Sequence, residues 1–64
     1  MKKIKFTDKV LNCEHEVLAS NVGEKVFAAC KDIKMVNNAI RWCNTHNVGD
    51  VFDCDSYRME IIKA

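Results

Sequence analysis

The sequence predicts an α+β domain, a small antiparallel sheet with one long helix packed across one of its faces. Three observations carry that reading: charged and apolar residues alternate near both ends of the chain, apolar residues recur every three or four positions through the middle, and Asn and Gly separate the two regimes. Alternation with period two marks a half-buried strand, and a period near 3.6 marks an amphipathic helix.

Lys3-Ile4-Lys5-Phe6-Thr7 reads as a first strand with Ile4 and Phe6 turned inward, followed by a tight turn at Asp8-Lys9. From Val10 to Ser20 the odd positions Leu11, Cys13, His15, Val17 and Ala19 form the apolar side of a second strand, with Asn12, Glu14 and Glu16 on the other. The two strands make a hairpin. Ser20-Asn21 offers N-cap chemistry and Glu24 suits the positive end of a helix dipole. Nothing between Glu24 and Thr45 is Gly or Pro, so the pattern predicts a single helix of about 22 residues. Asp32 is the residue that could cap a second helix after a break. Asn47-Val48-Gly49 ends the helix, because Asn and Gly tolerate the left-handed conformation common after a last turn. Two short strands follow, Val51 to Cys54 and Tyr57 to Ile62, joined around Asp55-Ser56, for a ββαββ order, or ββαβ if they form one bent strand.

The 64 residues make one domain, residues 1–64, with no repeat, linker or low-complexity segment. A domain this small buries only about 60% of the surface its unfolded chain exposes. Extra support from metal, disulfides or a second subunit is therefore worth looking for. A formal net charge of +1 gives no global field for nucleic acid or anionic membrane. The charge is uneven, with Lys2, Lys3, Lys5 and Lys9 at one end and Asp50, Asp53, Asp55 and Glu60 at the other, and it largely cancels if the two ends share a sheet. No stretch approaches the roughly 18 apolar residues of a membrane-spanning helix, and Met1-Lys2-Lys3 is not followed by the apolar run of a signal peptide. The expectation is a cytoplasmic protein with its four cysteines reduced.

The helix carries the feature that points outside the molecule. On a wheel of about 100° per residue, Val26, Ala29, Cys30, Ile33, Val36, Ile40 and Cys43 form the stripe expected to face the sheet. Met35 and Trp42, two turns apart, fall on the opposite side, with Ala28 nearby and Phe27 near the edge. Lys31, Lys34 and Arg41 surround them as a cationic rim. One helix over one small sheet buries only one face, so Trp42, Met35 and Phe27 are expected to meet a partner, either another protein or a second copy. The competing expectation is that the helix breaks near Asp32 and turns Trp42 inward.

Other chemistry is sparser. Cys13 and His15 on a strand and Cys43 and His46 at a helix end are the candidate set for a Cys2His2 zinc site, although the expectation is that no metal or other cofactor is bound and that the thiols pack inward. Cys43 with His46 is a close thiol–base pair, but no phosphate-cradling glycine loop or spaced acid pair is present, so no enzyme is expected. Asp50, Asp53 and Asp55 lack the glycine and distal glutamate of a calcium loop and read as a solvated edge. Eight Lys, six Asn and five Ile with no Pro fit an AT-rich coding sequence. Together these features resemble the style of small accessory proteins that phages and mobile elements use to inhibit or redirect a host factor, a likeness of style and not of sequence. The function expected is a non-enzymatic protein-binding module that can form a homodimer, the alternatives being a nucleic-acid-binding regulator using Lys31, Lys34, Arg41 and the basic N-terminus, or a small zinc-binding module.

Overall fold

A computed structural model describes residues 2–63. The elements run β1 (Lys3–Asp8), β2 (Cys13–Leu18), a 3-10 turn (Ala19–Asn21), α1 (Val22–Cys30), α2 (Ile33–Thr45), β3 (Val51–Asp53) and β4 (Tyr57–Ile62). The strands form one antiparallel sheet in the order β2-β1-β4-β3. The α+β class and the ββ-helix-ββ order expected from the sequence are those of the structure.

The sheet is two-faced because β1 and β4 alternate strictly. Ile4 and Phe6 from β1 and Tyr57, Met59 and Ile61 from β4 are buried under the helices, where Val22 and Val26 of α1 and Ala39 and Cys43 of α2 complete the core. Phe6 and Tyr57 stack at 5.4 Å between ring centroids. The opposite face is a polar checkerboard. Lys5 lies between Glu16 and Glu60 across the strands, Lys3 pairs with Glu16 at 3.0 Å, and Lys5 reaches Glu14 at 3.7 Å. The basic and acidic ends of the chain do share the sheet, and Lys9 pairs with Asp53.

Three local expectations are corrected. The first turn is a four-residue loop, Lys9 to Asn12, not a tight turn at Asp8-Lys9. Asn12 there takes the left-handed conformation at φ 56°, and buried Asp8 accepts hydrogen bonds from the backbone N–H groups of Val10 (2.9 Å) and Leu11 (3.0 Å). Leu11 consequently sits exposed in the loop instead of on the inner side of β2, which begins at Cys13. His15 is exposed as well.

The second correction is the helix. Lys31 turns left-handed at φ 55° and its N–H bonds back to Phe27 O, closing α1, and the Asp32 carboxylate accepts from Lys34 N at 2.9 Å to open α2. Size explains the break. A straight 22-residue helix would run about 33 Å, whereas the central strands β1 and β4 have six residues each and run only about 20 Å. Two shorter helices can each lay an apolar stripe on the sheet.

Their close approach needs Gly23, since a Cβ there would meet Val36 Cγ1 at 3.2 Å and Ile40 Cδ1 at 3.3 Å. The break also resets the helical phase, which is the third correction. Ile33 is 62% exposed and Ile40 is 39% exposed, although both belonged to the expected inner stripe. Met35 and Trp42, expected outside, are half-buried against the core.

Candidate functional site

The inward turn of Trp42 builds an aromatic chain along the side of α2. Trp42 meets Phe52 of β3 edge-on at 5.9 Å, Phe52 stacks on Tyr57 at 5.6 Å, and Tyr57 stacks on Phe6. At the other end His46 stacks on Trp42 at 4.7 Å. His46 Nδ1 donates to the Trp42 carbonyl at 2.9 Å, which fixes the ring. The Lys2 ammonium donates to the carbonyl oxygens of Cys43 and His46, neutralising the negative end of α2.

Between α2 and β3 these rings leave a groove of about 390 Å³, lined by Met35, Asn38, Arg41, Trp42, Thr45, His46, Phe52 and Tyr57. Its floor is aromatic and sulfur-bearing. Its outer wall is a polar stripe in which Lys34, Asn38, Arg41 and Thr45 follow at helical spacing on exposed positions of α2. Tyr57 beneath the floor is buried, and burial, with the nearby Cys54, Cys30 and Cys43 thiols, pushes its phenol up to about 12. That phenol therefore stays uncharged across the physiological range.

Of the six residues expected to meet a partner, the structure gathers Met35, Trp42 and Arg41 in this groove and places Lys34 on the stripe that extends its wall. Lys31 is spent on the helix break, with its side chain exposed. Phe27 is 47% exposed on α1 and does not line the groove. Phe52, Tyr57, Asn38, Thr45 and His46 were not foreseen as members of the site.

The candidate zinc quartet is not assembled. Among the described residues no group of three or more His, Cys, Asp or Glu side chains could hold a metal ion. Cys13 and His15 approach each other on β2, while Cys43 is buried in the core and His46 lies on Trp42. Burial pushes the Cys43 thiol up against the lowering effect of Lys2, and it pushes the Cys30 thiol up too. Cys43 and His46 thus lack the arrangement of a thiolate with its base.

Two aspartates of the acidic edge have separate employments. Asp50 accepts from Asn47 N at 2.9 Å and Asp53 pairs with Lys9. The basic N-terminus is engaged likewise, Lys2 on the end of α2, Lys3 and Lys5 on glutamates and Lys9 on Asp53. These lysines are poorly placed to join Lys34 and Arg41 in binding a phosphate backbone. No family model, no curated protein and no solved structure matches this chain. No helix among the described residues is long and apolar enough to cross a membrane.

Proposed function

We propose that this chain is a small protein-binding module, of the kind that inhibits or redirects another protein, and that the groove beside α2 receives an apolar side chain from an acidic segment of its partner. One observation carries the reading: a solvent-open aromatic floor of Trp42 and Phe52 lies directly beneath a wall bearing Arg41. A floor of this kind rewards burial of a leucine or phenylalanine, and an arginine at its rim favours carboxylates next to that anchor. Half-burial of Trp42 against the fold means that its ring is already held in place, so little side-chain freedom is lost on binding.

The test uses acidic peptides with a single Leu or Phe anchor and reads the fluorescence of Trp42, the one tryptophan in the chain. Acidic anchored peptides are expected to shift the emission and basic ones to leave it unchanged. Arg41→Glu, at an exposed position that the core does not need, should weaken binding about tenfold or more. Preference for basic peptides, or binding that ignores Arg41→Glu, would overturn the proposal. A mobility shift with RNA or DNA, steeply lost with salt, would return the nucleic-acid reading in its place.

A further inference from the structure

The opposite edge of the sheet holds a second arrangement, independent of the groove. β2 is an edge strand, and its backbone phase is fixed by the bond from Ala19 N to Lys2 O. Counting back in twos from that pair through the β1–β2 register, residues 17, 15 and 13 exchange hydrogen bonds with β1, and the N–H and C=O groups of Glu14 and Glu16 point to the free edge. Cys13 and His15, opposite buried Asp8 and Phe6 of β1, share the helix-facing side of the sheet. Their donor atoms converge, with Cys13 Sγ 3.4 Å from His15 Nε2.

That spacing is informative. With Zn–S near 2.3 Å and Zn–N near 2.0–2.1 Å, the edge of a zinc tetrahedron between a sulfur and a nitrogen is about 3.6 Å. The 3.4 Å contact, which in the metal-free chain is a hydrogen bond between thiol and imidazole, thus has the spacing of two adjacent corners of such a site. Two corners do not close a structural zinc site, and among the described residues no third ligand is near.

We infer that Cys13 and His15 are half of a zinc-class metal site completed by the same two residues of a second copy, so that the metal joins two chains edge to edge along β2. Antiparallel pairing centred on Glu14 sets Glu14 against Glu14 and places Cys13 opposite His15 of the second copy, and the reverse, on one face. Directly opposed residues in such a pair have Cα atoms about 4.5–5.5 Å apart, within reach of a shared ion on the two-fold axis. Two thiolates and two neutral imidazoles give a tetrahedral S2N2 set that suits zinc and neutralises its charge. Each Cys13 thiol releases its proton to solvent as the metal binds.

Two further features fit this occupant. The same pairing sets the loop of each chain, where Val10 and Leu11 are 64% and 69% exposed, alongside the far end of the other's β2, where Leu18 is itself 37% exposed. Apolar side chains that a single chain leaves in water would then cover one another. On the far face the two Glu14 carboxylates meet, and the Lys5 ammonium 3.7 Å from each only partly offsets their repulsion. Edge pairing without the ion is thereby disfavoured, and dimerisation becomes metal-dependent.

The experiment adds Zn2+, or Co2+ as a spectroscopic substitute, to the reduced, metal-free protein and follows it by native mass spectrometry. The expected product is a dimer with one metal per two chains, and with Co2+ the absorption of a tetrahedral thiolate site. Cys13→Ser and His15→Ala should each lose both the metal and the dimer while circular dichroism remains that of the folded chain, whereas Cys54→Ser and Cys30→Ser should keep both. Glu14→Pro retains both ligands and every bond to β1 but lacks the outward N–H, and it should lose the dimer. One metal per single chain, a dimer that persists in chelator, absence of metal uptake, or a metal-dependent dimer in His15→Ala would each overturn the inference.

Discussion

Lys31→Gly distinguishes the broken helix from a continuous one by the sign of its effect. Lys31 has φ 55°, its side chain is exposed, and its N–H bonds to Phe27 O as the closing bond of α1. The left-handed conformation costs an L-residue roughly 1–2 kcal/mol, and glycine adopts it without that cost. Glycine gives back about 0.5–1 kcal/mol through its greater freedom in the unfolded chain. The net gain is therefore about 0.5–1 kcal/mol, which in a domain of this size raises Tm by about 2–8 °C. In an unbroken helix the same substitution would fall in mid-helix and lower stability by about 1 kcal/mol. Urea denaturation followed by far-ultraviolet circular dichroism, with thermal melts alongside, measures the difference. A lower midpoint at unchanged slope would refute the break and with it the inward position of Trp42, since both follow from the same left-handed residue.

Gly23→Leu should destabilise by about 1–3 kcal/mol through overpacking, because Val36 and Ile40 leave no room beyond a tightly fitting Cβ there. Gly23→Ala should be close to neutral, its helix-propensity gain offset by the tight contacts, and urea midpoints of the two variants check the pair. The phenol of Tyr57, the one tyrosine, should ionise near pH 12, not 10, in an ultraviolet titration of the folded chain. The unfolded chain releases that proton first, so the contribution of Tyr57 is complete below pH 10 and is lost between pH 10 and 12. At about 1.4 kcal/mol per pH unit this amounts to about 2–3 kcal/mol, and Tyr57→Phe should abolish that part of the decline.

The strands were legible where one face is buried and the other wet. Ile4, Phe6, Met59 and Ile61 alternate with charged or polar neighbours through most of β1 and β4, and the structure buries that set. β2 was less legible because nothing buries it fully. Val10 and Leu11 continued the alternation into what is a loop, and only the left-handed Asn12 and the Asp8 acceptor decide its end. The helix break had a local sign in Asp32, a good N-cap. Yet no Gly or Pro announced it, and Lys31 is a residue that ordinarily continues a helix. The decisive constraint was global, the mismatch between a long helix and a short sheet.

The site was legible only along α2. Met35 and Trp42 share a line two turns apart whatever the phase of the helix, so their association survived the error about which way they face. Phe52 is brought to Trp42 by the antiparallel return of the chain, which no spacing within the helix could reveal. Cys13 and His15 were visible as a pair, but their distance from Cys43 and His46 depends on how the sheet lies under the helices.

The groove and the metal pair occupy opposite edges of one sheet, and that placement sets what they can do together. The groove lies against β3 and the metal ligands lie on β2, with β1 and β4 between. A metal-joined dimer would continue the sheet through two copies of β2 to eight strands, leaving a groove at each outer edge. At about 4.8 Å per strand, the two β3 strands would stand roughly 34 Å apart. A short peptide cannot span that distance, so single-anchor peptides should bind monomer and dimer with equal affinity per groove. A partner carrying two anchors on a surface or linker of matching span should instead gain avidity only when metal is present. Metal would then act on partner choice through geometry alone, without altering either groove.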